Sequence, residues 1–214
     1  MPGDRRQLII GAARRLFTSR PYDQVTTSEI AKDAGVAYGL IAHHFENKRG
    51  LYLAVTNEIA TEIATVHLTP PPADAPPVDA LRHALRNHIS YIDSHPDSFV
   101  ALLRGALGAD PEHRAAIDRL RWLGARRVLA ALGIAETVPA VLRTAMCGWV
   151  GYLDEMMIDR ITHRDIEVEA LVELATSALL ATLRTVATLD ASITFPVELH
   201  EAWQHSGEPW PADR

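Results

Sequence analysis

The sequence contains a single cysteine, Cys147, among 214 residues. A lone thiol excludes an intramolecular disulfide and any zinc cage built from several thiolates. No stretch approaches the roughly twenty uninterrupted apolar residues that a bilayer span needs. The opening MPGDRRQLII lacks the long apolar segment of a secretory signal. A cytoplasmic protein with no membrane partner is therefore expected. Pairs of alternating strands bounded by hairpin turns are missing. So are a glycine-rich phosphate loop, a Ser/His/Asp arrangement and paired carboxylates at a catalytic spacing, and an enzyme is not expected. Ten histidines are present, but their spacing is poor for a metal. His43 and His44 are adjacent and diverge, while His83 and His88 miss the i, i+4 alignment that lets two imidazoles share an ion. No metal or other cofactor is expected.

What is present is a composition with 48% apolar and 22% charged residues and a mean hydropathy of −0.01. A chain of this size buries a real core in one or two small units. The net charge of −6 is unevenly spread. Residues 1–50 hold eight Lys/Arg against five Asp/Glu, a balance of +3, whereas residues 51–214 hold thirteen against twenty-two, a balance of −9. A basic head on an acidic body suits a protein of which one part meets a polyanion. A solvated charged face fits the same count.

Helical periodicity runs along the whole chain, so the fold class is all-α. Ile9, Ala12, Ala13, Leu16 and Phe17 line one face of a first helix over residues 4–19. A second start signal is more complete. Thr26 is placed as N-cap, Glu29 three residues later closes a capping box, and Val25 against Ile30 forms a hydrophobic staple. Gly35 ends that helix and leads through Val36 and Ala37 to a short third helix over residues 38–44. Asn47 caps a long fourth helix toward His67, and the proline-rich run at residues 69–77 cannot continue it. Further helices are expected over residues 78–94, 98–107, 111–132, 137–162 and 165–187. Asp97 or Ser98 would cap the first of the last four, Asp110 the second, and Gly133 would close that second one. The division expected is a three-helix head over residues 1–47, a helical body over 48–190, and a tail over 191–214 that is either disordered or packed on the body.

A capped two-turn helix, a glycine turn and a second short helix make a helix-turn-helix, whose second helix fits the DNA major groove. Lys48 and Arg49 add an electrostatic oddity. They stand in the first turn of the fourth helix, where the macrodipole disfavours cations by about 0.3–1 kcal/mol each. Either a bound phosphate compensates them or they extend into water.

The stretch TTSEIAKDAGVAYGLIAHHFENKRGLYLAV, residues 26–55, resembles the DNA-binding segment of the TetR family of transcriptional regulators, and the AARRLF segment at residues 12–17 extends the likeness. The resemblance implies about nine helices, an N-terminal three-helix reading head, and double-stranded operator DNA as partner. By matching positions it implies phosphate contacts at Thr27, Ser28, His44 and Lys48. Base edges would face Ala37, Tyr38, Gly39, Ala42 and His43. Ile30, Ala31, Ala34, Ile41 and Phe45 should face the core. Ala37, where the family usually carries a Ser- or Thr-like cap, and Ala42, where it usually carries an aromatic residue, depart from the pattern. Arg5 and Arg6, placed ahead of the first helix, read either as a basic arm or as solvated side chains.

A short recognition helix discriminates only a few base pairs, so two copies on a palindrome are expected. Val168, Leu171, Val172, Ala175, Ala178, Leu179, Thr182, Leu183 and Val186 form an apolar stripe, and Ala145, Gly148 and Gly151 permit close helix approach. Such a stripe serves as core or as interface. The resemblance implies a homodimer paired through residues 137–187. It also implies a cavity for a small-molecule effector, with His88, Tyr91, Phe99, Leu103, Trp122, Met146, Trp149 and Tyr152 as its candidate lining. Cys147 is expected to be a small buried apolar group. The reading is a ligand-responsive regulator, a repressor that leaves its operator when the effector binds. The alternative is a helical small-molecule-binding dimer without sequence-specific DNA recognition.

Overall fold

The computed structural model describes residues 2–66, 70–72, 74–105, 110–134 and 138–199. The expected ends of the fourth and sixth helices at His67 and residue 107, the expected start of the eighth at residue 137, and the tail from residue 200 lie outside these. Among the described residues there are nine α-helices and one 3-10 turn: α1 (Pro2–Ser19), the turn Tyr22–Gln24, α2 (Thr27–Asp33), α3 (Gly39–Phe45), α4 (Lys48–Val66), α5 (Pro77–Ser94), α6 (Pro96–Arg104), α7 (Pro111–Ala131), α8 (Ala140–His163) and α9 (Val168–Leu189). The chain divides into two compact units, residues 1–63 with 95–120, and residues 64–94 with 121–214.

In the first unit, α1 buries Ile9, Ile10, Ala12, Ala13 and Phe17 and packs on α2 and α6. Its polar side is tied down by Arg14, which donates to both oxygens of Glu62 at 2.6 and 2.9 Å and to the Ser98 hydroxyl. Ser98 is therefore spent inside the fold. The cap of α6 is His95, followed by Pro96 in the first turn, which corrects the expectation that Asp97 or Ser98 caps this helix. Proline at that position gives up no intrahelical hydrogen bond, so it starts the helix without a side-chain cap.

In the second unit, α8 and α9 pack against each other and both pack on α5. Among the buried residues of α8, Leu142, Met146, Trp149, Leu153 and Met157 repeat at three- and four-residue steps. The Trp149 indole donates to the Ala175 carbonyl of α9 at 2.9 Å. Ion pairs bind the outer faces: Arg82 with Glu173, Arg86 with Glu169, and Arg160 with Asp93. Helix α9 is long and apolar enough to cross a membrane by length and composition, yet here it forms the side of a helical core. The start of the tail joins that core, with Phe195 and Leu199 buried. Cys147 is exposed, against expectation, because it lies on the side of α8 away from Met146 and Trp149.

Candidate nucleic-acid interface

Local chemistry sets α2 first. The Thr26 hydroxyl accepts the Glu29 amide at 3.2 Å, and the Thr26 amide donates to the Glu29 carboxylate at 2.9 Å, which is the expected capping box. The bond from the Thr26 amide, another that the Thr26 hydroxyl donates to the same carboxylate at 2.8 Å, and a third from Arg20 hold the Glu29 carboxyl below the usual range. The helix stops at Gly35, whose φ of 65° a side chain would resist. There Val36 donates to the Ala31 carbonyl and Gly35 to that of Lys32, so the freed carbonyls are satisfied by a Schellman turn.

The turn delivers α3 with its two faces sorted. Ile41 and Phe45 are buried, while Ala37, Tyr38, Gly39, Ala42 and His43 are exposed. Tyr38 stands out at 59% exposure. Its hydroxyl lies 3.4 Å from that of Thr27, so the start of α2 and the start of α3 share one surface. Ser28 is exposed on the same helix, and Thr27 and His44 are half-buried. A side chain at Gly39 would meet open space, so nothing inside the protein demands glycine there. Of the expected core residues only Ala34 is half-buried; Ile30, Ala31, Ile41 and Phe45 are inside.

The corner from α3 to α4 is tight. Glu46 has a φ of 65° and a ψ of −52°, and Asn47 donates to the Phe45 carbonyl at 2.7 Å, closing a strained γ-turn. Asn47 then caps α4 by accepting the Gly50 amide at 2.9 Å, as expected. Gly50 is a requirement the sequence did not announce: a Cβ there would overlap the Phe45 carbonyl. The run Asn47-Lys48-Arg49-Gly50 is thus fixed on both sides.

The charges at this corner meet partners within the protein, so Lys48 and Arg49 do not simply extend into water. Arg49 donates to both oxygens of Asp110 at 2.7 and 2.9 Å and to Glu112 at 3.0 Å. Asp110 also accepts the Glu112 and His113 amides as the cap of α7, and its pKa falls to about 2, chiefly through the Arg49 bond. Lys48 instead lies over the Tyr22 ring, its ammonium 4.0 Å from the centroid. Arg5 and Arg6 belong to α1 and are no free arm. The Arg6 guanidinium stacks over the Phe45 ring at 5.3 Å.

The candidate ligand residues scatter. Phe99 and Leu103 belong to the first unit, and His88, Tyr91, Trp122, Met146, Trp149 and Tyr152 to the second. Met146, Trp149, His88 and Phe99 are buried; Tyr91, Leu103 and Trp122 are half-buried; Tyr152 is exposed. The apolar stripe of α9 is largely the unit's own core, since Leu171, Val172, Ala175, Leu179, Leu183 and Val186 are buried against α5 and α8. What stays outside is different. A groove of about 530 Å³ runs between Ala140, Val141, Thr144 and Ala145 of α8 and Thr182, Thr185, Val186 and Leu189 of α9. Leu174 and Leu189 are exposed, and a Cβ added at Gly148 or Gly151 would meet no atom within 4 Å among the described residues beyond its own stretch of helix.

Comparison with known proteins agrees with this architecture. The HTH-type transcriptional repressor AcnR of Corynebacterium diphtheriae is 29% identical over 126 residues, 58% of this chain and 59% of that protein. The HTH-type transcriptional regulator BetI 2 of Chromohalobacter salexigens is 29% identical over 144 residues, 60% of this chain and 62% of its own length. The chain thus matches about three fifths of the length of these curated relatives. Among solved structures, a tetR-family transcriptional regulator from Streptomyces coelicolor superposes with a TM-score of 0.71 at 27% identity, covering 89% of this chain and 85% of that one. The profile of bacterial regulatory proteins of the tetR family matches residues 9–55, and that of the tetracyclin repressor-like C-terminal domain matches residues 77–182. With both the reading head and the helical body matched in this order, the chain belongs to the TetR family of transcriptional regulators.

Proposed function

We propose that the protein is a homodimeric repressor that binds a palindromic operator and releases it when a small apolar or amphipathic effector binds. The observation that carries the reading is the sorted α3: a short helix whose inner face is anchored by Ile41 and Phe45 while Tyr38, Gly39, Ala42 and His43 face outward. A helix so mounted, beside a capped α2, suits entry into a major groove. In this reading Ala37, Tyr38, Gly39, Ala42 and His43 face base edges, and Thr27, Ser28, His44 and Lys48 meet phosphates. The missing cap at Ala37 and the missing aromatic at Ala42 give Tyr38 the largest share of the reading surface. The protein works in the cytoplasm, where its DNA is.

Pairing of two copies is assigned to the outward surface of α8 and α9. Leu174 and Leu189 are exposed and Gly148 and Gly151 have open space beside them among the described residues, which a second copy could fill. The effector is assigned to the body, where Tyr91, Trp122, Met146 and Trp149 supply adaptable apolar surface. The same fold occurs in a transcriptional regulator FadR from Bacillus subtilis solved in complex with stearoyl-CoA, so it can accept an amphipathic molecule. DNA and effector then favour different separations of the two heads, and each weakens the other by the same factor.

Selection of bound duplexes from a random pool by the purified chain tests this directly. A recovered palindrome supports the reading, and its half-site spacing constrains the dimer. Recovery of no preferred sequence, with no duplex retained in dilute salt, sinks it in favour of a small-molecule-binding dimer.

A further inference from the structure

The two adjacent cations at the start of α4 are treated differently by the fold. Arg49 is matched by two carboxylates, Asp110 and Glu112. Lys48 is matched by a ring, with its ammonium 4.0 Å from the Tyr22 centroid. A carboxylate cancels a positive charge toward an approaching anion. The face of a ring attracts the ammonium by its quadrupole and leaves the charge in place. A lysine head on its flexible four-carbon stem otherwise loses much rotamer freedom when it grips a partner, and a ring that already holds it removes part of that loss.

Tyr22 is itself held. It sits on the 3-10 turn between α1 and α2, where its carbonyl accepts the Val25 amide at 3.2 Å. Its ring stacks on Phe17 at 5.6 Å and meets the edge of Tyr52 at 5.2 Å, and Phe17 and Tyr52 meet each other at 5.1 Å. Tyr52 is buried and donates its hydroxyl to the Ala101 carbonyl at 3.2 Å. The platform under Lys48 is therefore a three-ring cluster anchored in the core of the first unit.

We infer that Tyr22 is a positioning residue for DNA binding, whose ring presents the Lys48 ammonium, still charged and already ordered, to a backbone phosphate. This rests on the assignment of Lys48 as a phosphate contact made above. Tyr22 touches no DNA in this account and acts only through Lys48.

The test uses the full chain and a duplex recovered by the selection described above, with binding followed by fluorescence anisotropy over a potassium chloride series. Lys48→Ala is expected to lower the slope of log affinity against log salt by about one. Tyr22→Leu is expected to weaken binding about 2- to 5-fold, the range of an exposed cation–π contact. Tyr22→Phe, which keeps the ring, stays near wild type. Because Tyr22→Leu removes packing as well, progressively fluorinated phenylalanines at position 22 provide the shape-conserving series. Affinity should fall with each added fluorine while the helical signal is kept, and the whole series should be flat in the Lys48→Ala background. An unchanged affinity across the fluorinated series, or an equal loss with and without Lys48, overturns the role of Tyr22 alone. An unchanged salt slope in Lys48→Ala overturns the phosphate contact, and failure of the wild-type chain to bind any duplex overturns the function.

Discussion

Arg49 and Asp110, sixty-one positions apart, form a two-pronged pair in which Nε and Nη2 donate to the two carboxylate oxygens at 2.7 and 2.9 Å. The pair joins the start of α4 to the start of α7 inside the first unit. Asp110 has a pKa of about 2 in the fold against an ordinary value of 3.8. A carboxyl depressed by folding stabilises the native state above its unfolded pKa and loses that contribution as the pH falls toward the folded one. Asp110→Asn keeps a competent helix cap but removes the charge. Urea unfolding should therefore show wild type more stable than Asp110→Asn near neutral pH, with the gap closing between 3.8 and about 2. A gap that is the same at every pH would mean that the pair contributes no charge-dependent stability.

The state of Arg49 also bears on DNA. Its charge is matched in the free protein, so transfer to a phosphate would exchange one anion for another. Arg49→Ala should change the salt slope of duplex binding by clearly less than the unit expected for Lys48→Ala. Equal effects from the two substitutions would show that Arg49 leaves Asp110 when DNA binds.

The capping box predicts a local loss of stability. Thr26→Ala removes the acceptor for the Glu29 amide and should cost about 1 kcal/mol, within a range of roughly 0.5–2. Thr26→Ser and Thr26→Asp should recover most of it. Chemical denaturation reads the difference, and a neutral Thr26→Ala would mean that α2 is held by the staple and its packing alone.

That box was legible because its residues stand three apart and report a backbone geometry by themselves. So were the Gly35 stop, the Asn47 cap and the Asp110 cap, all readable from spacing and local hydrogen-bond chemistry, whereas the inward Ile41 and Phe45 followed from the resemblance. What escaped depended on distant partners. Ser98 suits a cap as well as it suits Arg14, 84 positions away, and only the packing of α1 on α6 chooses between them. Arg49 gives no sign in sequence of Asp110, nor Lys48 of Tyr22. The α9 stripe carries a period but no address, and the fold spends it on α5 and α8. Cys147 lies between two buried positions' worth of helix and turns outward, which a residue-type preference cannot foresee.

Two glycines at the reading head separate structure from recognition. Gly50 has its Cβ position filled by the Phe45 carbonyl, a backbone atom that cannot swing aside. Gly50→Ala should destabilise the fold by about 1–3 kcal/mol, as overpacking does. At Gly39 nothing lies within 4 Å of the added carbon. Gly39→Ala should leave stability unchanged or raise it by up to about 1 kcal/mol, since alanine is the better helix former. Its operator affinity should nevertheless fall, because the added methyl stands where a base edge would approach. Paired melting and anisotropy measurements check both, and full DNA binding by Gly39→Ala would remove this position from the reading surface.

The outward apolar residues of α8 and α9 make a prediction about assembly. Leu174 is 47% and Leu189 69% exposed, so a charged residue at either disturbs little inside the subunit. Leu174→Glu combined with Leu189→Glu should keep the helical signal of wild type and convert the proposed dimer to a monomer in sedimentation. Retention of the dimer would move the pairing surface elsewhere.

Arg121 and Asp154 are the opposite case to Arg49 and Asp110. Asp154 is buried on α8, and desolvation raises its pKa even though Arg121 Nε donates to it at 2.7 Å and pulls the other way. Arg121 keeps 39% of its side chain in water and Asp154 only 11%, so the carboxylate bears most of the burial. Arg121→Ala would strand it. The expected loss is about 3 kcal/mol at neutral pH, the lower end for breaking a buried pair because one partner is half exposed. The pH dependence has the reverse sign to that of Asp110. A carboxyl raised by folding favours the native state below its unfolded pKa, and that contribution is lost as the pH climbs through the folded one. Arg121→Ala should therefore be close to wild type in acid, where Asp154 is protonated, and fall behind as the pH rises. Adding Asp154→Asn to Arg121→Ala removes the stranded charge and should restore most of the loss. A deficit independent of pH, or no rescue by the second substitution, would show that Arg121 supports the fold by packing and not by its charge.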